Sequence, residues 1–164
     1  MSTLRHAAPG GHIGLHRGFP SSAERVLSAA PASVPKARRF VADTLAIWGL
    51  DGAIGDSVQV VAELAANAVR EGEHGAPPEI LLRLACSPRY VIVQAGDHNL
   101  VPPPRPPRRV RQSSEHGRGL PIARVLSRRL AWYQQDGWKI VWAAIPIPAA
   151  RPHLSGRERW GRAA

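Results

Sequence analysis

Three places in this chain combine residue types at spacings that could do chemistry. Glu63 and Asn67 sit one helical turn apart in AIGDSVQVVAELAANAVRE, off the face of its Ala/Val stripe. Asp97 ends the largely apolar run YVIVQAGD, where a strand would reach the lip of a sheet. Gly117-Arg118-Gly119 stand where a helical pattern begins, in HGRGLPIARVL. Backbone N–H groups at a helix N-terminus attract anions, and glycine lets a phosphate approach closely. Each feature also has a plainer reading. A solvated helix face accounts for Glu63 and Asn67, an Asx turn for Asp97, and a flexible lead-in for the glycines.

Hydrophobic periodicity supplies the elements that must hold these residues. RVLSAA (25–30) reads as a short strand. In SVPKARRFVADTLAIWGL, Ser33 can cap, Pro35 suits a first turn and Gly49 ends the helix. Val34, Ala37, Val41, Thr44, Leu45 and Trp48 share its core face. A second helix over roughly 53–71 buries Val58, Val61, Ala65 and Ala68. EILLRLAC (79–86) and YVIVQAGD (90–97) form a strand pair around Ser87-Pro88. Residues 98–116 hold five prolines within 102–107 and read as a long functional loop or a disordered one. A helix over 118–130 and strands near 131–135 and 138–145 complete the order. The fold class expected is an α/β (α+β) two-layer sandwich, a mostly antiparallel sheet with helices on one face. Residues 1–22 read as a flexible N-terminal segment, 23–148 as one domain and 149–164 as a basic C-terminal tail.

Composition narrows the function classes. The 164 residues carry a formal net charge of +10, with twenty Arg against two Lys, which favours phosphate-rich or acidic partners. The abundance of Arg, Ala, Pro and Gly is also what GC-rich codon usage produces. The basic run RPPRRVR (105–111) lacks interleaved aromatics, and no helix-turn-helix pattern stands out, so no direct nucleic-acid contact is expected. Cys86 is the only cysteine, which excludes an intramolecular disulfide and a Cys-based zinc site. His12 and His16 have helical spacing but lie among glycines with no third ligand nearby. No apolar run reaches membrane-spanning length and the start has no apolar leader core, so a cytoplasmic protein is expected.

The order of the motifs says more than any one of them. ELAANAV (63–69), Asp97 with Pro102-Pro103 after it, a variable loop, HGRGL (116–120) and KIVWA (139–143) together resemble the histidine-kinase-like ATPase superfamily, the GHKL or Bergerat fold. The nearest likeness is to stand-alone anti-sigma-factor serine/threonine kinases, and it spans roughly residues 25–147. The resemblance implies ATP and Mg²⁺ as cofactors. It implies Asn67 as the magnesium ligand, which suits a hard ion that takes oxygen donors. It implies Glu63 as general base or orienter of the nucleophile, and Asp97 as acceptor of the adenine amine. It implies Gly117, Arg118, Gly119 and the following Leu120 as the phosphate-holding box, and residues 98–116 as the ATP lid. The partners implied are an anti-anti-sigma (STAS-type) protein, whose serine would be phosphorylated, and a sigma factor. Homodimerisation is common among such relatives.

Two departures from the family pattern carry expectations. Relatives commonly read Gly-Lys-Thr-Val-Trp where this chain has Trp138-Lys139-Ile140-Val141-Trp142. Loss of the threonine hydroxyl at Ile140 should weaken ATP binding by up to about tenfold. After Asp97 no glycine occurs until Gly117, so a tight turn against the nucleotide would fall to Asn99, which tolerates the left-handed region. Two readings of function follow: a protein kinase of the anti-sigma type, or a non-catalytic interaction module that keeps the fold. No P-loop and no eukaryotic-type kinase signature is present. The chain has no room for the dimerising helical hairpin of a histidine kinase.

Overall fold

The structure is a computed structural model that describes residues 21–74, 77–102 and 119–149. The element order is β1 (Ser21–Ser28), α1 (Ser33–Ile47), α2 (Asp51–Gly72), β2 (Glu79–Cys86), β3 (Tyr90–Asp97), α3 (Gly119–Leu126), β4 (Arg129–Gln135) and β5 (Trp138–Pro146). The five strands form one sheet in the order β1-β2-β3-β5-β4, and every neighbouring pair is antiparallel. The expected α+β architecture is therefore observed, with every pairing antiparallel rather than most.

Strand alternation sorts the sheet into two faces. Ile80, Leu82 and Leu84 of β2, Val91, Val93 and Ala95 of β3, and Val141, Ala143 and Ile145 of β5 join the main core with α1, α2 and Ala123 of α3. The opposite face holds a smaller apolar cluster of Ala85, Ile92 and Ala144, with Tyr90 and Trp142 against it. The helices thus cover one face. In α1 the buried positions are Ser33, Ala37, Phe40, Val41 and Leu45. Phe40 is a core residue that the expected stripe omitted, and the guanidinium of Arg25 lies over its ring. In α2 the buried stripe is wider than expected, because the helix packs against α1, α3 and the sheet at once.

Several local readings need correction. Ser33 does not cap α1; it lies inside the helix, and its hydroxyl donates to the carbonyl of Ser28, tying the helix start to the end of β1. β1 runs over 21–28 rather than 25–30, because Ser21 through Ser28 pair with Cys86 through Glu79. α3 stops at Leu126 rather than 130. The Ser127 hydroxyl bonds back to Ala123 O, and the Arg128 N–H already donates to Ala144 O on β5. Gly49 ends α1 as expected, with φ +70°. β4 and β5 join through a two-residue turn, Asp136 (φ 50°) and Gly137 (φ 79°), whose positive φ values suit the twist of a hairpin. Among the described residues, no helix is long and apolar enough to cross a membrane.

Candidate functional site

The base of the site is set by sheet register. β3 and β5 pair so that Asp97 stands directly opposite Lys139. Both belong to the helix-covered face, because Ala95 and Val141, two residues away on each strand, point into the main core. Lys139 Nζ lies 3.3 Å from Asp97 Oδ1, with the two side chains 1% and 2% exposed. The Asn99 backbone N–H donates to the same Oδ1 at 2.8 Å. That is the Asx turn expected of Asp97 on its plainer reading, and it accompanies the ion pair. Both contacts converge on Oδ1 and neither uses Oδ2. Burial raises the carboxyl above its ordinary value of 3.8, opposed by the Lys139 ammonium and the Asn99 N–H, while the Glu71 carboxylate pushes it further up.

Two expectations change here. Asn99 is not left-handed; among described non-glycine residues only Asp136 has positive φ. Its side chain turns toward α2 instead, and the amide donates to Glu71 Oε2 at 3.0 Å. Ile140 faces away from Asp97, on the uncovered side of the sheet. An added Cβ on its partner Gly96 would meet Ile140 Cγ1 at 3.0 Å. A threonine hydroxyl at 140 would not face Asp97 in this register, so the predicted loss of ATP affinity has no basis at that position. The side chain that does face Asp97 is Lys139.

α2 carries the second half of the site. Its last residue, Gly72, packs against the strand end: a Cβ there would lie 3.4 Å from Asp97 Cβ and 3.2 Å from Ala29 Cβ. Glycine permits that approach. Glu63, Asn67 and Glu71 then recur at four-residue spacing along the helix. At 1.5 Å per residue, Glu63 lies about 13 Å up the axis from Gly72. Asn67 is largely buried, and its Oδ1 accepts a 2.7 Å bond from Arg70 Nη2. Arg70 Nε also stands 3.9 Å from Glu71 Oε1. Glu63 is half-exposed and touched by the Gln59 amide at 3.3 Å. A continuous polar chain therefore runs from Asp97 through Asn99, Glu71 and Arg70 to Asn67.

Sequence reasoning missed three members of this arrangement. Glu71 and Arg70 could have been found by extending the Glu63–Asn67 spacing by one turn. Lys139 was visible only as part of a motif, because its role depends on strand register. The rim is completed by His98, which stacks on Trp138 with ring centroids 3.7 Å apart and whose Nδ1–H donates to Gly137 O. Gln134 Nε2 donates to Leu100 O. Gly119 and Leu120 open α3. Gly117, Arg118 and most of the expected lid (103–116) lie outside the described residues, as do His12, His16 and the basic tail beyond Ala149.

The donor set can be weighed for a divalent cation. Among the described residues no group of three His, Cys, Asp or Glu could hold a metal ion. On the Glu63–Asn67–Glu71 face of α2 the buried neutral oxygen donor is Asn67 Oδ1, already bonded to a guanidinium. An amide oxygen has two lone pairs, and Arg70 is 53% exposed and free to turn outward. The residues fit Mg²⁺ if triphosphate oxygens complete its shell and Arg70 moves off.

The sequence profile of the histidine kinase-like ATPase domain matches residues 27–145, and the chain belongs to that family. Among solved structures, it is similar to the RsbU and RsbW domains of Rv1364c from Mycobacterium tuberculosis, with a TM-score of 0.57 and 19% identity. That match covers 79% of this chain but only 34% of the other, so the chain spans about a third of that structure and the likeness is one of fold. No curated protein sequence matches the chain.

Proposed function

We propose that the chain binds Mg-ATP across the end of β3 and the polar face of α2, and transfers the γ-phosphate to a serine of an anti-anti-sigma (STAS-type) partner. Asp97 accepts the adenine amine through Oδ2. Asn67 supplies the amide oxygen for Mg²⁺, which would neutralise the phosphate oxygens. Glu63 takes the proton of the serine hydroxyl as its oxygen bonds the γ-phosphorus and the bond to ADP breaks. Gly117, Arg118 and Gly119 cradle the phosphates. The chain would then bind a sigma factor when that partner is modified. The observation that carries the reading is a buried carboxylate at the end of a central strand, its Oδ1 taken up and its Oδ2 left over, with the Glu63–Asn67 face one helix away.

A second reading has its own support. Arg70 sits on the oxygen that Mg²⁺ would need. A chain in which that contact persists would bind nucleotide weakly and serve as an interaction module. Titration calorimetry with Mg-ATP separates the two. Saturable binding, lost in Asp97→Asn and made magnesium-insensitive in Asn67→Ala, supports the nucleotide site. Phosphate transfer to a STAS-type partner, abolished in Glu63→Gln with ATP binding kept, supports the kinase. No binding at millimolar ATP sinks the first reading and leaves the second.

A further inference from the structure

The Lys139 ammonium is a buried charge whose contact among the described residues is the Asp97 carboxylate. It has three N–H donors and is 1% exposed, so water cannot serve them. Asp97 Oδ1 takes one. Among the described residues no other acceptor contacts Nζ. A buried cation with spare donors marks the place of an acceptor that arrives from outside. The neighbouring atom, Asp97 Oδ2, is a spare acceptor in the same pocket. The pair therefore offers one donor and one acceptor side by side, both fixed by the opposed positions of Asp97 and Lys139 across β3 and β5.

That pattern has a chemical complement. An exocyclic amine beside an unprotonated ring nitrogen, as in a 6-aminopurine, gives a donor and an acceptor at adjacent positions. The amine meets Oδ2 and the ring nitrogen meets the ammonium. A residue without a donor at 139 would leave the ring nitrogen unbonded. A charged donor gives it a shorter and stronger bond.

Resting on the nucleotide-binding reading above, we propose that Lys139 is a base-specificity residue, donating a charge-assisted hydrogen bond to the purine ring nitrogen adjacent to the amine bound by Asp97. Lys139 also fixes Asp97. By holding Oδ1 from β5 while the Asn99 N–H holds it from the loop, it keeps Oδ2 turned to the ligand. The alternative is that Lys139 takes the place of the base's own donor and plugs the site. In that case its removal would tighten binding.

The test is a calorimetric titration of the full chain with ATP, 1-deaza-ATP and 7-deaza-ATP, each with Mg²⁺. Either deaza analogue lacks one of the two ring nitrogens that flank the amine. The wild type should bind one of them about tenfold more weakly than ATP, and that analogue identifies the nitrogen. In Lys139→Met the same analogue should bind as well as ATP does, with ATP itself weakened about tenfold. The wild-type comparison needs no variant, so a misfolded Lys139→Met would not spoil the test. ATP bound with neither analogue penalised would overturn the proposal and leave the nucleotide site standing. Tighter ATP binding in Lys139→Met would overturn it in favour of a plug. Failure of the wild type to bind any nucleotide would overturn both this assignment and the function it rests on.

Discussion

The two ends of the candidate site are built differently. The end that would meet the base is part of the sheet: Asp97 and Lys139 are register partners on central strands, almost wholly buried, and bonded from two sides. The end that would meet the phosphates lies on a helix face. Glu63 is half-exposed, Arg70 is 53% exposed, and the bonds among them are side chain to side chain. Buried paired charges are costly to break, whereas exposed pairs contribute little. The paired charges thus sit where the fold is least able to move, and the Glu63–Asn67–Arg70 face where rearrangement costs least.

Substitutions can break this contrast, and the largest effect belongs to the sheet end. Asp97→Asn leaves the Lys139 ammonium buried without its counter-charge. Loss of one partner of such a pair costs about 3–5 kcal/mol, and denaturant unfolding should show it alongside lost ATP binding. Next comes the contact between the halves. Gly72→Leu forces a side chain into the space where even a Cβ would lie 3.2 Å from Ala29 Cβ and 3.4 Å from Asp97 Cβ. Overpacking of this kind costs about 1–3 kcal/mol, and calorimetry should record weaker ATP binding as α2 shifts from the strand end.

A pH titration sharpens the comparison. Burial holds the folded Asp97 pKa above its ordinary value of 3.8. The stability linked to that shift is fully present below 3.8 and is lost as pH rises through the raised folded value. Denaturant unfolding of the wild type against the Asp97→Asn/Lys139→Met double variant should show the difference changing only in that window. The smallest effect belongs to the helix end. Arg70→Met should change stability by no more than about 0.5 kcal/mol, as is usual for an exposed side chain. It frees Asn67 Oδ1, so half-maximal ATP binding should need less magnesium, read from titrations at graded Mg²⁺.

The sequence made the elements legible because their periods are clean. The 3.6-residue stripe of α2 and the alternation of β2 and β3 each point one way, and the motif order singled out Glu63, Asn67 and Asp97, which lie on α2 and at the end of β3. What it hid follows from geometry that no local pattern encodes. Strand register decides whether residue 139 or 140 faces Asp97, and register is set between β3 and β5, some forty residues apart in the chain. Phe40 was hidden because α1 packs on α2 and on β1 at once, which widens its buried face. The return of Asn99 to Glu71 was hidden because a polar loop residue carries no sign of which helix it will meet.

The placement of β5 between β3 and β4 also has a consequence for how the protein comes into being. Asp97 emerges from the ribosome well before Lys139, and a chain made only as far as α3 already has β1, β2, β3, α1 and α2 without the cation that β5 brings. Its carboxylate must then stay hydrated, with the strand end open. Insertion of the last strand completes the sheet and neutralises that charge in one event, so the buried Asp97–Lys139 pair forms only when the sheet is whole.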